Sequence, residues 1–154
     1  MGRRISVAAV GALLTCSLAI NDARATVLGP ADKARLLDSL RRQGFNGTTD
    51  PADVWKLALI GQIRAGGKTY RIYEYEWSEA HPRADTAHGG EELIVVSSSG
   101  DYVGSYVSDV DVIKVKGKDI LFKCPRSEGD RIEFTKDGPP KHVWFNGQVE
   151  ELQR

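Results

Sequence analysis

The stretch 55–77, WKLALIGQIRAGGKTYRIYEYEW, constrains the fold more than any other part of this chain. In its first arm Trp55, Leu57, Leu59 and Ile63 recur at every second position, with Gly61 between them. In its second arm Tyr73, Tyr75 and Trp77 do the same, and Tyr70, Ile72, Glu74 and Glu76 form the opposite set. A period of two belongs to a β-strand and sends each set to one side of a sheet. Gly66 and Gly67, at the bend 65–68, can take the positive φ that a tight hairpin turn demands.

The chain beyond this hairpin continues in the same manner. Segments 91–97 and 102–107 flank the turn Ser98-Ser99-Gly100-Asp101, and 110–115 and 119–123 flank Lys116-Gly117-Lys118. Segments 131–135 and 142–145 flank 136–141, and Asn146-Gly147 is a type I′ turn signal that pairs 148–152 back on the preceding strand. These turns are too short for crossover helices, so consecutive antiparallel pairing is the economical topology. The run LIVV at 93–96 breaks the alternation and suits a strand covered on both sides. Tyr102 and Tyr106 bracket Gly104 and are expected on one face. Gly61 and Gly104 are read as bends in a curved sheet, against the other option of room for a neighbouring aromatic.

One helix is expected, over 29–43. Pro30 fits its first position, Asp32 sits where the macrodipole favours an anion, and Arg41 and Arg42 sit where it favours cations. Leu36, Leu37 and Leu40 give it one apolar stripe, with Gly44 as a left-handed stop and Phe45 packing back on Leu40. The expected fold class is α+β: an N-terminal helix packed on a strongly curved antiparallel β-meander of about eight to nine short strands, barrel-like in its curvature.

The first 25 residues read as a signal peptide. Arg3 and Arg4 form a basic start, residues 5–14 a short apolar run, and Ala23-Arg24-Ala25 a cleavage site. Cleavage after Ala25 leaves one exported domain, 26–154, in the periplasm or secreted. A second option is a lipoprotein box at Leu13-Leu14-Thr15-Cys16, which would anchor the chain through Cys16. The remaining 129 residues carry 18 basic and 20 acidic side chains, a net charge of about −2. That balance offers no electrostatic case for nucleic acid, and no transmembrane segment is expected in the mature chain. Of the two cysteines, Cys16 leaves with the signal peptide and Cys124 remains alone, so no disulfide is expected.

Three constellations carry candidate chemistry. His81, Asp85 and His88 lie in the polar segment 78–90, with Glu91 and Glu92 beyond, and offer a ligand set that zinc or copper accepts. Pro82 and Gly89-Gly90 deny that segment a preset geometry, so no cofactor is expected and the metal reading stays secondary. Tyr73, Tyr75, Trp77, Tyr102 and Tyr106 are either an aromatic core or a recognition surface for a partner. Glu74 and Glu76 share one strand face and could form a carboxylate pair only across a cleft. The Ser97-Ser98-Ser99 run lacks the setting of a nucleophile elbow and reads as turn chemistry.

With no coherent catalytic set but aromatic-rich strands, the expectation is a small exported, non-enzymatic binding module. Its partner would be a protein, in the manner of inhibitors, immunity proteins or envelope accessories. The competing expectations are a small metal-dependent or hydrolytic enzyme built on 81–92, and a structural envelope component.

Overall fold

A computed structural model of the protein describes residues 25–79, 88–108, 112–122, 131–145 and 148–154. The helix α1 (Pro30–Arg42) has Gly29 as its N-cap and Pro30 at its start, with Asp32 in the first turn and Arg41 and Arg42 in the last. Its C-terminus is a Schellman turn: the Phe45 amide donates to the Leu40 carbonyl (3.1 Å) and the Gly44 amide to Arg41 (3.2 Å), with Gly44 at φ 86°. Leu37 and Leu40 are buried. Lys33, beside that stripe, donates from its Nζ to the carbonyls of Pro51 (2.9 Å) and Val54 (2.8 Å), tying the helix to the sheet's first long strand.

The principal sheet is an antiparallel meander of five strands in sequence order: β1 (Thr26–Val27), β2 (Val54–Ala65), β3 (Lys68–Glu79), β4 (His88–Ser97) and β5 (Tyr102–Val107). Three further strands, β6 (Val112–Lys116), β7 (Asp119–Phe122) and β8 (Arg131–Glu133), form a second antiparallel sheet. β9 (His142–Phe145) and β10 (Gln148–Glu151) form a separate hairpin. The mostly antiparallel α+β architecture is therefore as the turns and alternation imply.

Closure into a barrel is not. The five-stranded sheet ends at β1 and β5, which do not pair with each other. The free edge of β5 is taken by the C-terminus, where Ser105 and Gln153 exchange both backbone hydrogen bonds at 2.9 Å. With that edge occupied, β6 does not extend the meander and the chain starts a second sheet. The expected hairpin between 131–135 and 142–145 is likewise replaced: β8 pairs with β7, β9 pairs with β10, and Thr135 and Gly138 close a tight turn of their own.

Each face of the principal sheet has its own core. On one side Leu37, Leu40 and Phe45 pack over Leu57, Tyr73, Tyr75, Ile94 and Val96. On the other, Ile63, Tyr70, Ile72, Leu93, Val95 and Tyr106 meet Ile120, Phe122, Ile132 and Phe134 of the second layer. The unbroken apolar run at 93–96 is thus satisfied on both sides, every one of its residues being buried.

Two register shifts decide which side chain goes where. In β2 the pairing skips between Leu59 and Gly61, so Leu57 and Leu59 face the helix while Ile63 faces the second layer. The expected single face of Trp55, Leu57, Leu59 and Ile63 is broken there, and again by the shift between Val54 and Lys56, beside which Trp55 stands exposed. In the β4–β5 pair the shift at Val95/Val96 sends Tyr102 to the helix side and Tyr106 to the other. The expected shared face of Tyr102 and Tyr106 therefore does not form.

Gly61 and Gly104 lie at these irregularities and also admit close neighbours, though not aromatic ones. A Cβ on Gly61 would stand 2.7 Å from the Val115 Cβ, and one on Gly104 2.6 Å from the Gln153 carbonyl and 2.8 Å from the Leu152 side chain. Gly104→Ala is expected to push the C-terminal segment off β5 and to lower unfolding stability by about 1–3 kcal/mol, measured by urea denaturation. An unchanged denaturation midpoint would show that the C-terminus is not locked there.

Candidate functional site: a carboxyl cavity and an aromatic trough

Past the end of α1, the chain turns through 45–48 over the helix-side face of the sheet. Phe45 packs edge-on against Tyr75 (centroids 5.4 Å apart) and against Tyr102 (5.5 Å). The Tyr75 hydroxyl donates to the Thr48 carbonyl at 2.7 Å, pinning the turn down. Gln43 secures it from the other end: its Nε2 donates to the Gly100 carbonyl (3.1 Å) and its Oε1 accepts from the Tyr102 amide (2.7 Å). The Ser97–Asp101 turn itself is held by Ser97 and Ser99 hydroxyls on the Asp101 carboxylate, which keep that carboxyl below its usual range. This is the turn chemistry the serine run implies.

Between this turn and the sheet lies a cavity of about 190 Å³. The rings of Phe45, Trp77 and Tyr102 line it, together with Glu92, Ser105 and the C-terminal Gln153. Glu92 reaches it because the register pairs Tyr75 with Glu92 and Ile94 with Ser105, placing all four on the helix side. The single proton of the Tyr102 hydroxyl has two acceptors in reach, Ser105 Oγ (3.3 Å) and the Gln153 carbonyl (3.4 Å). Burial pushes the Glu92 carboxyl above its usual range, with a hydrogen bond from Ser105 working the other way. Burial also raises the Tyr102 phenol, the nearby Glu92 charge adding to it.

Trp77 forms a partition. On its far side a wider trough of about 510 Å³ runs along the open end of β2, β3 and β4, lined by Trp55, Trp77, Glu76, Glu91 and Ser108. The Trp77 indole lies over Gly90, where a Cβ would come within 3.1 Å of the ring nitrogen. Trp55 is 76% exposed at the trough's edge.

The expected aromatic set divides accordingly. Tyr73, Tyr75 and Tyr106 are core residues, whereas Trp77 and Tyr102 are half-buried at the cavity. Among the described residues Trp55 and Trp144 are exposed, although alternation groups Trp55 with the buried Leu57 and Ile63. Glu74 and Glu76 do not face each other across a cleft. Both engage Lys56, whose Nζ lies 2.8 Å from Glu74 Oε2 and 2.6 Å from Glu76 Oε1. Burial opposes the Lys56 charge, but hydrogen bonds to the two glutamates outweigh it and hold the ammonium above its ordinary pKa. The triad is an ion cluster with Glu74 nearly buried.

His81, Asp85, Cys16 and Cys124 lie outside the described residues, and His88 enters only through its backbone, opposite Glu79 at the start of β4. Among the described residues no three His, Cys, Asp or Glu side chains come together, and no helix is long and apolar enough to cross a membrane. No protein-family model, curated protein or solved structure matches this chain.

Because burial raises the Glu92 pKa, the folded chain holds that proton more tightly than the unfolded chain does. The resulting stabilisation is complete below the ordinary glutamate range and is lost as pH rises through the raised value. Glu92→Gln, which keeps the shape without the charge, is therefore expected to raise the Tm relative to the parent at about pH 8. The gain should disappear at about pH 4. Thermal melts across that range check it, and a pH-independent difference would contradict the burial of the carboxyl.

Proposed function

We propose that this chain is a small exported, non-enzymatic binding module that recognises a protein partner at the open end of its principal sheet. Trp55 carries this reading: a tryptophan held 76% exposed, beside a trough that Trp77 shares with the neighbouring cavity. An exposed indole gains most of its burial energy only when a partner covers it, and tryptophan is among the commonest anchors of protein interfaces. Glu76 and Glu91, half-buried on the trough wall, add polar groups around that anchor. Cleavage after Ala25, as the signal-peptide reading has it, would leave Thr26, the first residue of β1, as the new N-terminus. The inhibitor, immunity and envelope-accessory types all share this logic of a rigid sheet presenting one patch. The hydrolytic and metal-dependent alternative is built on 81–92, of which His81 and Asp85 lie outside the described residues.

Trp55→Ala is expected to leave the Tm essentially unchanged, because the side chain is exposed. The same substitution should weaken retention of a partner from extracts of the producing cell's envelope by at least about tenfold. Quantitative pull-down with parent and variant measures it. Partner retention identical in both would move the interface elsewhere, and no retained macromolecule at all would reject the module reading.

A further inference from the structure

The cavity beside Trp77 has a composition that points to its occupant. A carboxyl group borders a space of about 190 Å³ that the rings of Phe45, Trp77 and Tyr102 share with the polar turn 46–48, Ser105 and Gln153. Among the described residues no lysine or arginine lines it, in contrast to the buried carboxylate of Glu74, which has Lys56 at 2.8 Å. A sequestered carboxylate without a counter-ion is costly, and aromatic rings attract cations. The Ser105 hydroxyl adds a polar atom that can accept from an ammonium N–H. The space is smaller than sites that hold drug-sized ligands and suits one head group.

From this geometry we infer that the Glu92 cavity binds an alkylammonium group, the Glu92 carboxylate supplying the counter-charge and Phe45, Trp77 and Tyr102 the surrounding rings. The chemistry is that of a lysine side chain or a free primary amine. A neutral group of the same shape lacks the charge that Glu92 would pair with. A guanidinium is planar and wider, so arginine fits the space less well. The inference deepens the binding-module reading: it rests on that reading for a lysine-bearing partner, and on the cavity alone for the ammonium preference.

Four probes test it by amide and indole chemical-shift titration of the purified protein: n-butylammonium, a lysine tripeptide blocked at both ends, and their neutral counterparts, n-butanol and the same peptide with acetylated lysine. Both ammonium probes are expected to shift the Glu92 and Ser105 amides and the Trp77 indole, and to bind at least about tenfold more tightly than their neutral counterparts. Glu92→Gln should abolish that margin. Asn46→Trp, at an exposed position on the cavity wall, should block all four probes while leaving the strand amides in place. Tighter binding of the lysine peptide than of butylammonium would assign the group to a protein partner, and the reverse order to a free amine. Equal binding of charged and neutral probes, or an ammonium preference that survives Glu92→Gln, overturns the assignment. A protein partner still held normally by Glu92→Gln would overturn the cavity's role in holding that partner and leave the module reading standing.

Discussion

Burial of both faces of the β2–β5 sheet is the constraint on which the rest of the molecule depends. A sheet with one wet face would need strict alternation, and the chain would have no reason to place Leu93, Ile94, Val95 and Val96 in succession. The helix α1 covers one face. The other is covered only because the C-terminal third folds back as a second layer, bringing Ile120, Phe122, Ile132 and Phe134 against it. Neither cover is optional: removing the helix would expose Leu57, Tyr73 and Tyr75, and removing the second layer would expose Ile63, Ile72 and Tyr106.

Two close approaches make that stack possible. At Gly61 the second layer comes so close that a methyl group would strike Val115, and at Gly104 the C-terminus does the same to β5. The accompanying bulges turn one strand's apolar residues toward both cores in succession. They also explain why a single tyrosine pair, Tyr102 and Tyr106, serves two purposes. Tyr106 fills the inner core and donates its hydroxyl to the Pro140 carbonyl, whereas Tyr102 reaches the cavity and touches Ser105.

The candidate site lies where the helix-side cover runs out. Leucine side chains from α1 fill the middle of that face, while near Trp77 and Glu92 the turn 45–48 lies above it. Glu92 occupies a strand position whose neighbours Ile94 and Val96 are fully packed, but it meets space and aromatic rings instead of leucines. Trp77 then separates this enclosed polar space from the open trough, so that one indole borders both. A rigid sheet end with an exposed anchor beside a charged recess is a sound platform for recognition.

Much of this was legible in the residues because it is decided locally. Pro30, Asp32, Arg41, Gly44 and Phe45 state where the helix starts and stops, since capping and the helix dipole act within one turn. Gly66-Gly67 and the Ser97–Asp101 cluster likewise specify their hairpins through backbone and side-chain preferences of four or five residues. What only the tertiary structure decided are the bulges, the division into separate sheets, and the faces of Trp55, Ile63, Tyr102 and Glu92. A period of two predicts a face only while the register is unbroken, and one skipped residue reverses everything after it. Those skips answer to Val115 and Gln153, which lie about 50 residues away along the chain from the glycines they approach, a distance over which no local preference acts.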